Sequence, residues 1–124
     1  MKIIADKNIP YLKGVAEYYG DVTYLDGAAF THDAIKEADT LIVRTVTRFD
    51  EAKLKNTNVK LICSATIGYD HIDTDYCDAH DIVWHNAPGC NSGSVQQYIV
   101  SSLIRISRQK GFELKDKTIG IVGV

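Results

Sequence analysis

Short apolar runs of strand length recur along the first two thirds of the chain, and each is followed by a more polar stretch. Runs rich in β-branched and aliphatic residues predict five strands, at residues 2–5, 22–25, 40–43, 59–63 and 82–84. The run at residues 40–43 is almost wholly apolar, which is typical of a strand buried on both faces. The pattern therefore favours a parallel sheet.

Amphipathic stretches between these runs predict helices at residues 10–19, 31–38, 50–55 and 71–80. Gly20 would end the first of these helices, and Thr31 would cap the second. Parallel neighbours need a crossover segment, and right-handed crossovers place helices on both faces of one sheet. The predicted fold class is therefore α/β, a flavodoxin-like three-layer arrangement around a parallel sheet.

The pattern changes after Pro88 and Gly89. Apolar residues then recur at helical spacing and predict one long helix from Ser92 to about Lys110, with Asn91 or Ser92 as its cap and Gly111 as its end. Residues 118–122 predict a sixth strand with no helix after it. We expect from this pattern that the sequence is interrupted there.

Composition and charge exclude some classes of binding partner for this chain. The 124 residues are 45% hydrophobic and 24% charged, values ordinary for one globular domain. The 14 basic and 16 acidic residues nearly balance, which argues against a nucleic-acid or polybasic membrane surface. The sequence shows no apolar run long enough to span a membrane and no signal peptide. Three cysteines cannot all pair with each other, so we expect reduced thiols and a cytoplasmic location.

Candidate binding residues follow the third predicted strand. In an open α/β sheet, ligands bind beyond the carboxyl ends of the strands. The third strand is followed there by Arg44, Thr45, Thr47 and Arg48. Guanidinium groups, hydroxyls and backbone amides suit an anion such as a phosphate or carboxylate.

A second candidate loop follows the fourth strand. Thr66 supplies a hydroxyl there, and Gly68 permits close approach of the backbone to a ligand. The alternative is that these residues only make tight turns and that the arginines are solvated surface. Two such loops on adjacent strands favour an anion-binding site.

Other chemistry-bearing residues give weaker patterns. Cys77 and His80 have the spacing of half a metal site, but no second half follows, and we expect no metal. His71 beside Asp70 is either an oriented general base or, more commonly, part of a helix start. A phosphorylated receiver domain needs an aspartate where the third strand ends, and Arg44 occupies that position.

Several short motifs resemble those of the D-isomer-specific 2-hydroxyacid dehydrogenases. They are Asp6-x-Asn8-x-Pro10-Tyr11, Val43-Arg44-Thr45-Val46-Thr47, Ala65-Thr66 with Gly68 and Asp70-His71, Ala87-Pro88-Gly89-Cys90-Asn91, Gly111-Phe112 and the segment 118–124. Their order and spacing extend along the whole chain. One departure is at the entry to the long helix, where Gln97 replaces a carboxylate and Gly93 lowers helix propensity.

The resemblance implies a division of the chain into three parts. Residues 1–91 would be a substrate-binding domain, residues 92–111 an interdomain helix, and residues 112–124 the start of a truncated Rossmann domain that binds NAD. Gly123 would be the first glycine of the phosphate-binding turn. The catalytic residues of the family would follow residue 124, so the resemblance places none in this chain, which we expect to be inactive alone.

The resemblance also implies an activity and contacts for its substrate. The whole enzyme would oxidise a small phosphorylated hydroxy acid with NAD and would be a homodimer. Thr45 and Thr66 would contact the substrate, and we add Arg44 as a charge partner for its phosphate. A member of the same family acting on another acid and a non-catalytic binding domain with this fold remain alternatives.

Overall fold

The protein is described here by a computed structural model that covers residues 1–122. Within it, contacts define one compact unit from Met1 to Pro88 and a second unit that begins at Gly89. Gly123, predicted to contact NAD, lies outside the described residues.

The first unit contains a parallel sheet of five strands. The strands are β1 (Lys2–Asp6), β2 (Asp21–Leu25), β3 (Thr40–Val43), β4 (Leu61–Ser64) and β5 (Val83–His85). Their order in the sheet is β2-β1-β3-β4-β5, and every neighbouring pair is parallel. This order is the flavodoxin-like one, so the predicted fold class is confirmed.

The register brings the ends of the central strands to one edge. Val43, the last residue of β3, pairs with Ser64, the last residue of β4. Ala5 of β1 pairs with Ile42, one residue before the end of β3. The segments that follow β1, β3 and β4 therefore leave the sheet at the same carboxyl edge.

The core of this unit is apolar and closely packed. Phe30 and Phe49 are almost fully buried, and their rings meet edge to face at 5.9 Å between centroids. Leu41 and Ile62, neighbours in the sheet, have no exposed surface. Burial of such side chains stabilises the fold by roughly 1.5–3 kcal/mol each.

The helices of the first unit are shorter than their sequence patterns predict. They are α1 (His32–Ile35), α2 (Glu51–Leu54) and α3 (Thr74–Ala79). Side-chain caps fix the start of each: Thr31 accepts a hydrogen bond from the Ala34 amide in α1, and Asp50 and Asp73 accept equivalent bonds in α2 and α3.

The predicted helix at residues 10–19 is wrong. That segment consists of turns and one short 3₁₀ helix, Ala16–Tyr18. Tyr11 and Gly14 have φ of +61° and +90°, values that a right-handed helix does not allow. The Gly14 amide instead donates to the Glu17 carboxylate at 2.8 Å.

The second unit contains the long helix α4 (Ser92–Lys110), as predicted. Gly111 follows it at φ +68°, the left-handed conformation that commonly ends a helix. The predicted sixth strand is wrong for the described residues, because residues 118–122 form no strand and are exposed. A strand forms only by pairing with a neighbour, and this segment is not part of the five-stranded sheet. None of the described helices is long and apolar enough to cross a membrane.

Candidate functional site

The turn after β3 leaves Thr45 exposed at the carboxyl edge of the sheet. Thr47 Oγ1 donates a hydrogen bond to the carbonyl oxygen of Gly27 and ties the turn to the segment after β2. Arg48 is largely exposed, and its nearest carboxylate is that of Asp50, 3.7 Å away. The turn is thus anchored on one side and presents Thr45 to solvent.

Arg44 is held by a buried carboxylate. Its Nε lies 3.0 Å from Oδ2 of Asp6 and its Nη2 lies 3.3 Å from Oδ1, a two-bonded ion pair between the ends of β3 and β1. Asp6 is 1% exposed, and its Oδ1 also accepts a hydrogen bond from the Asn8 amide. This pair engages two of the five N–H donors of the guanidinium. The predicted role of Arg44 as an anion partner therefore depends on the other donors, and Asp6 fixes the direction in which they point.

The turn after β4 is held by hydrogen bonds on both sides of Thr66. The Ala87 amide donates to the carbonyl oxygen of Thr66, and the Asn86 side chain donates to that of Ile67. Thr66 Oγ1 donates to the carbonyl oxygen of Gly68 at 3.0 Å and lies 2.7 Å from Ser64 Oγ. The Thr66 hydroxyl thus has a defined position at the end of β4.

His71 lies behind this turn and is buried. Its Nε2 is 3.1 Å from Ser64 Oγ. Burial lowers the pKa of the His71 imidazole, and the neighbouring carboxylate of Asp70 partly opposes this shift. The helix-start interpretation of Asp70 and His71 is wrong, because α3 begins at Thr74 and is capped by Asp73. Sequence reasoning missed the bond to Ser64, although a strand-ending serine seven residues before a histidine is visible in the sequence.

The two candidate turns leave neighbouring strands side by side. The pairing of Val43 with Ser64 places Thr45 two residues beyond the end of one strand and Thr66 two residues beyond the end of the other. The Ala65 amide donates to the carbonyl oxygen of Val43 and continues the pairing into the turns. The edge therefore combines two hydroxyls, one guanidinium and backbone amides, groups that bind an anion.

A concavity of about 590 Å³ lies elsewhere in this unit. Asp39, Val59, Lys60 and Asp81, which lie one or two residues before strands, line it together with Thr57. It is therefore at the amino edge of the sheet. Parallel α/β sheets bind ligands at the opposite edge, so we assign the candidate site to the turns after β3 and β4.

The surroundings of Cys77 and His80 indicate structural roles for both side chains. The Cys77 thiol is fully buried, and burial raises its pKa to about 11, which opposes formation of the thiolate that binds metal. His80 Nδ1 makes a hydrogen bond with the carbonyl oxygen of Tyr76. Among the described residues, no three side chains of the metal-binding types cluster together.

Comparisons with known proteins agree with the fold and the motifs. The model of the catalytic domain of D-isomer specific 2-hydroxyacid dehydrogenases matches residues 2–103. An erythronate-4-phosphate dehydrogenase of Porphyromonas gingivalis is 48% identical over all of this chain, and one of Bacteroides fragilis is 50% identical. The chain spans 34% and 36% of these two relatives.

A solved structure of lower sequence identity has a similar fold. The NAD⁺-bound 3-phosphoglycerate dehydrogenase of Entamoeba histolytica is 28% identical and superposes with a TM-score of 0.68. The match covers 94% of this chain and 42% of that one.

Proposed function

The chain belongs to the D-isomer specific 2-hydroxyacid dehydrogenases, and we propose that it is the substrate-binding part of an NAD-dependent enzyme that oxidises 4-phospho-D-erythronate. The high identity to erythronate-4-phosphate dehydrogenases extends along all of the chain. The observation that carries the proposal is the pairing of β3 with β4, which sets the turns of Thr45 and Thr66 side by side. These are the two positions that the family resemblance assigns to the substrate.

The reaction removes two hydrogens from the acid, one from C2 and one from the hydroxyl group on C2. When bound, NAD⁺ would accept the C2 hydrogen as a hydride and a base would take the hydroxyl proton, which gives the 2-oxo acid. In this proposal the described residues bind and orient the anion through the Thr45 and Thr66 hydroxyls and the Asp6-held guanidinium of Arg44. Neither the base nor the rest of the NAD site is assigned to the described residues, and Gly123 would begin the NAD phosphate turn.

We place the reaction in the biosynthesis of pyridoxal phosphate (vitamin B6). We further propose that the whole enzyme is a cytoplasmic homodimer with no nucleic-acid or membrane partner. Light scattering on the protein at the length its gene encodes tests the dimer, and a monomer at micromolar concentration would contradict it.

The second candidate is a dehydrogenase of 3-phosphoglycerate, the substrate named for the Entamoeba relative. The two acids share a 2-hydroxy-carboxylate and a terminal phosphate and differ by one carbon in length. They would use the same hydroxyls, so the described turns alone do not separate them.

The deciding experiment measures NADH formation by the protein at the length its gene encodes, with each acid in turn. We expect a higher kcat/KM for 4-phospho-D-erythronate than for 3-phosphoglycerate, and no turnover from the 124-residue chain alone. The reverse preference would support the second candidate. Binding of either acid without turnover would support a non-catalytic binding domain instead.

A further inference from the structure

The hydrogen bonds of Thr66 continue into the interior, to an imidazole that the proposed function does not use. Thr66 Oγ1 lies 2.7 Å from Ser64 Oγ, which lies 3.1 Å from His71 Nε2. Ser64 is 4% exposed and His71 is 8% exposed. Water therefore competes little for these two bonds, and the three side chains form one connected network.

The network has a defined donor direction. Thr66 has one hydroxyl proton, which it donates to the carbonyl oxygen of Gly68. Ser64 must then donate its own proton to Thr66, and its oxygen can only accept from His71. It follows that Nε2 of His71 carries a proton. Every bond from the imidazole to the surface is donated in the same sense.

We propose that His71 and Ser64 are positioning residues that turn Thr66 into a directed donor to an anionic oxygen of the substrate. When the acid binds, its oxygen replaces the Gly68 carbonyl as the acceptor of the Thr66 proton. Hydrogen bonds donated in series polarise one another, and the bond to a charged acceptor gains most from this. The proposal rests on the proposed function, because it assumes that Thr66 contacts the acid.

The protonation state of His71 supports a fixed direction of hydrogen-bond donation from Nε2 to Ser64. Burial lowers the pKa of the imidazole against the opposing effect of Asp70, which favours the neutral ring near neutral pH. A neutral imidazole has one N–H, and the network assigns it to Nε2. The other tautomer would accept the Ser64 proton and leave Thr66 without its internal donor.

The tautomer of His71 is the first test, and it needs no variant. Nitrogen-15 NMR of the imidazole, on the protein at the length its gene encodes, reports which nitrogen is protonated. We expect Nε2–H without ligand and with 4-phospho-D-erythronate, and a shift of the Nε2 resonance on binding. A neutral ring protonated at Nδ1 in the complex would overturn the proposal.

Three variants supply the second test. Ser64→Ala and His71→Leu remove the internal donors, whereas His71→Gln keeps an N–H that can reach Ser64. We expect the first two to raise the KM for the acid about threefold to tenfold with little change in kcat, and His71→Gln to stay near the wild-type KM. Equal KM values in all three variants, or a Gln variant as impaired as the Leu variant, would overturn the relay.

Thr66→Ala separates this failure from failure of the proposed function. If Thr66→Ala raises KM while Ser64→Ala and His71→Leu do not, the substrate site stands and the relay is wrong. If Thr66→Ala also leaves KM unchanged, both the site assignment and the relay are overturned.

Discussion

The buried carboxylate of Asp6 fixes the orientation of the partly exposed Arg44 guanidinium. They are 38 residues apart in sequence, yet β1 and β3 are neighbours, and their ends bring the carboxylate and guanidinium together. The sequence predicts an anion-binding role for Arg44 but does not reveal this carboxylate partner. The ion pair forms because β1 and β3 are neighbours in the sheet, and the residues around Asp6 do not reveal that strand order.

Replacing Asp6 by Asn tests the strength of this pair. The change removes the charge that faces a guanidinium whose side chain is 33% exposed. We expect the free energy of unfolding in urea to fall by about 1–3 kcal/mol. The matched control is Asp26→Asn, because Asp26 pairs with Lys7 at 2.8 Å with both side chains more than half exposed. The control should change little, and equal losses in the two variants would contradict the account.

His71 gives a pH-dependent prediction. Its pKa in the folded protein is below its ordinary value of 6.5, and unfolding restores that value. Between the two values the unfolded state binds more protons, so the free energy of unfolding falls as pH is lowered through about 6.5. Urea unfolding at about pH 7.5 and about pH 5.5 measures the fall, which should be smaller in His71→Gln. The same fall in both proteins would show that His71 does not contribute.

At the scale of elements, the strands were predictable and the segment between β1 and β2 was not. Aliphatic and β-branched runs give a strand signal that tertiary packing reinforces, since β1, β3 and β4 are largely buried. The amphipathic pattern at residues 10–19 is helical, but the backbone at Tyr11 and Gly14 is left-handed. Local hydrogen bonding to Glu17 prevails over the periodic pattern there.

Substitution of Gly14 by Ala tests that explanation. The space at Gly14 is open, so a methyl group meets no clash and the cost comes from φ of +90° alone. We expect a loss of about 1 kcal/mol in the free energy of unfolding. Gly93→Ala is the control, because its added methyl also meets open space within α4 and should stabilise the helix by up to about 1 kcal/mol. A stabilised Gly14 variant would contradict the left-handed turn.

At the scale of the whole molecule, alternation of strands and helices was enough to predict a parallel sheet of flavodoxin-like order. That fold, with the rule that ligands bind at the carboxyl edge, led to the two turns that contain Thr45 and Thr66, and the family resemblance then selected these two residues. The link from Thr66 to His71 was not predictable, because it depends on side-chain directions within one turn. The sixth strand was predicted from the apolar run at residues 118–122, and such a pattern does not show whether a pairing partner is present.

In the proposed function the acid binds at the turns after β3 and β4, and not in the concavity at the amino edge. The most direct test is the KM for 4-phospho-D-erythronate of the gene-length protein with Thr45→Ala, Thr66→Ala or Thr57→Ala. Thr57 lines the amino-edge concavity, where its hydroxyl donates to the Leu54 carbonyl oxygen. The account predicts that the first two variants raise KM about tenfold and that Thr57→Ala leaves it unchanged. Unchanged KM in Thr45→Ala and Thr66→Ala, or a rise confined to Thr57→Ala, would contradict it.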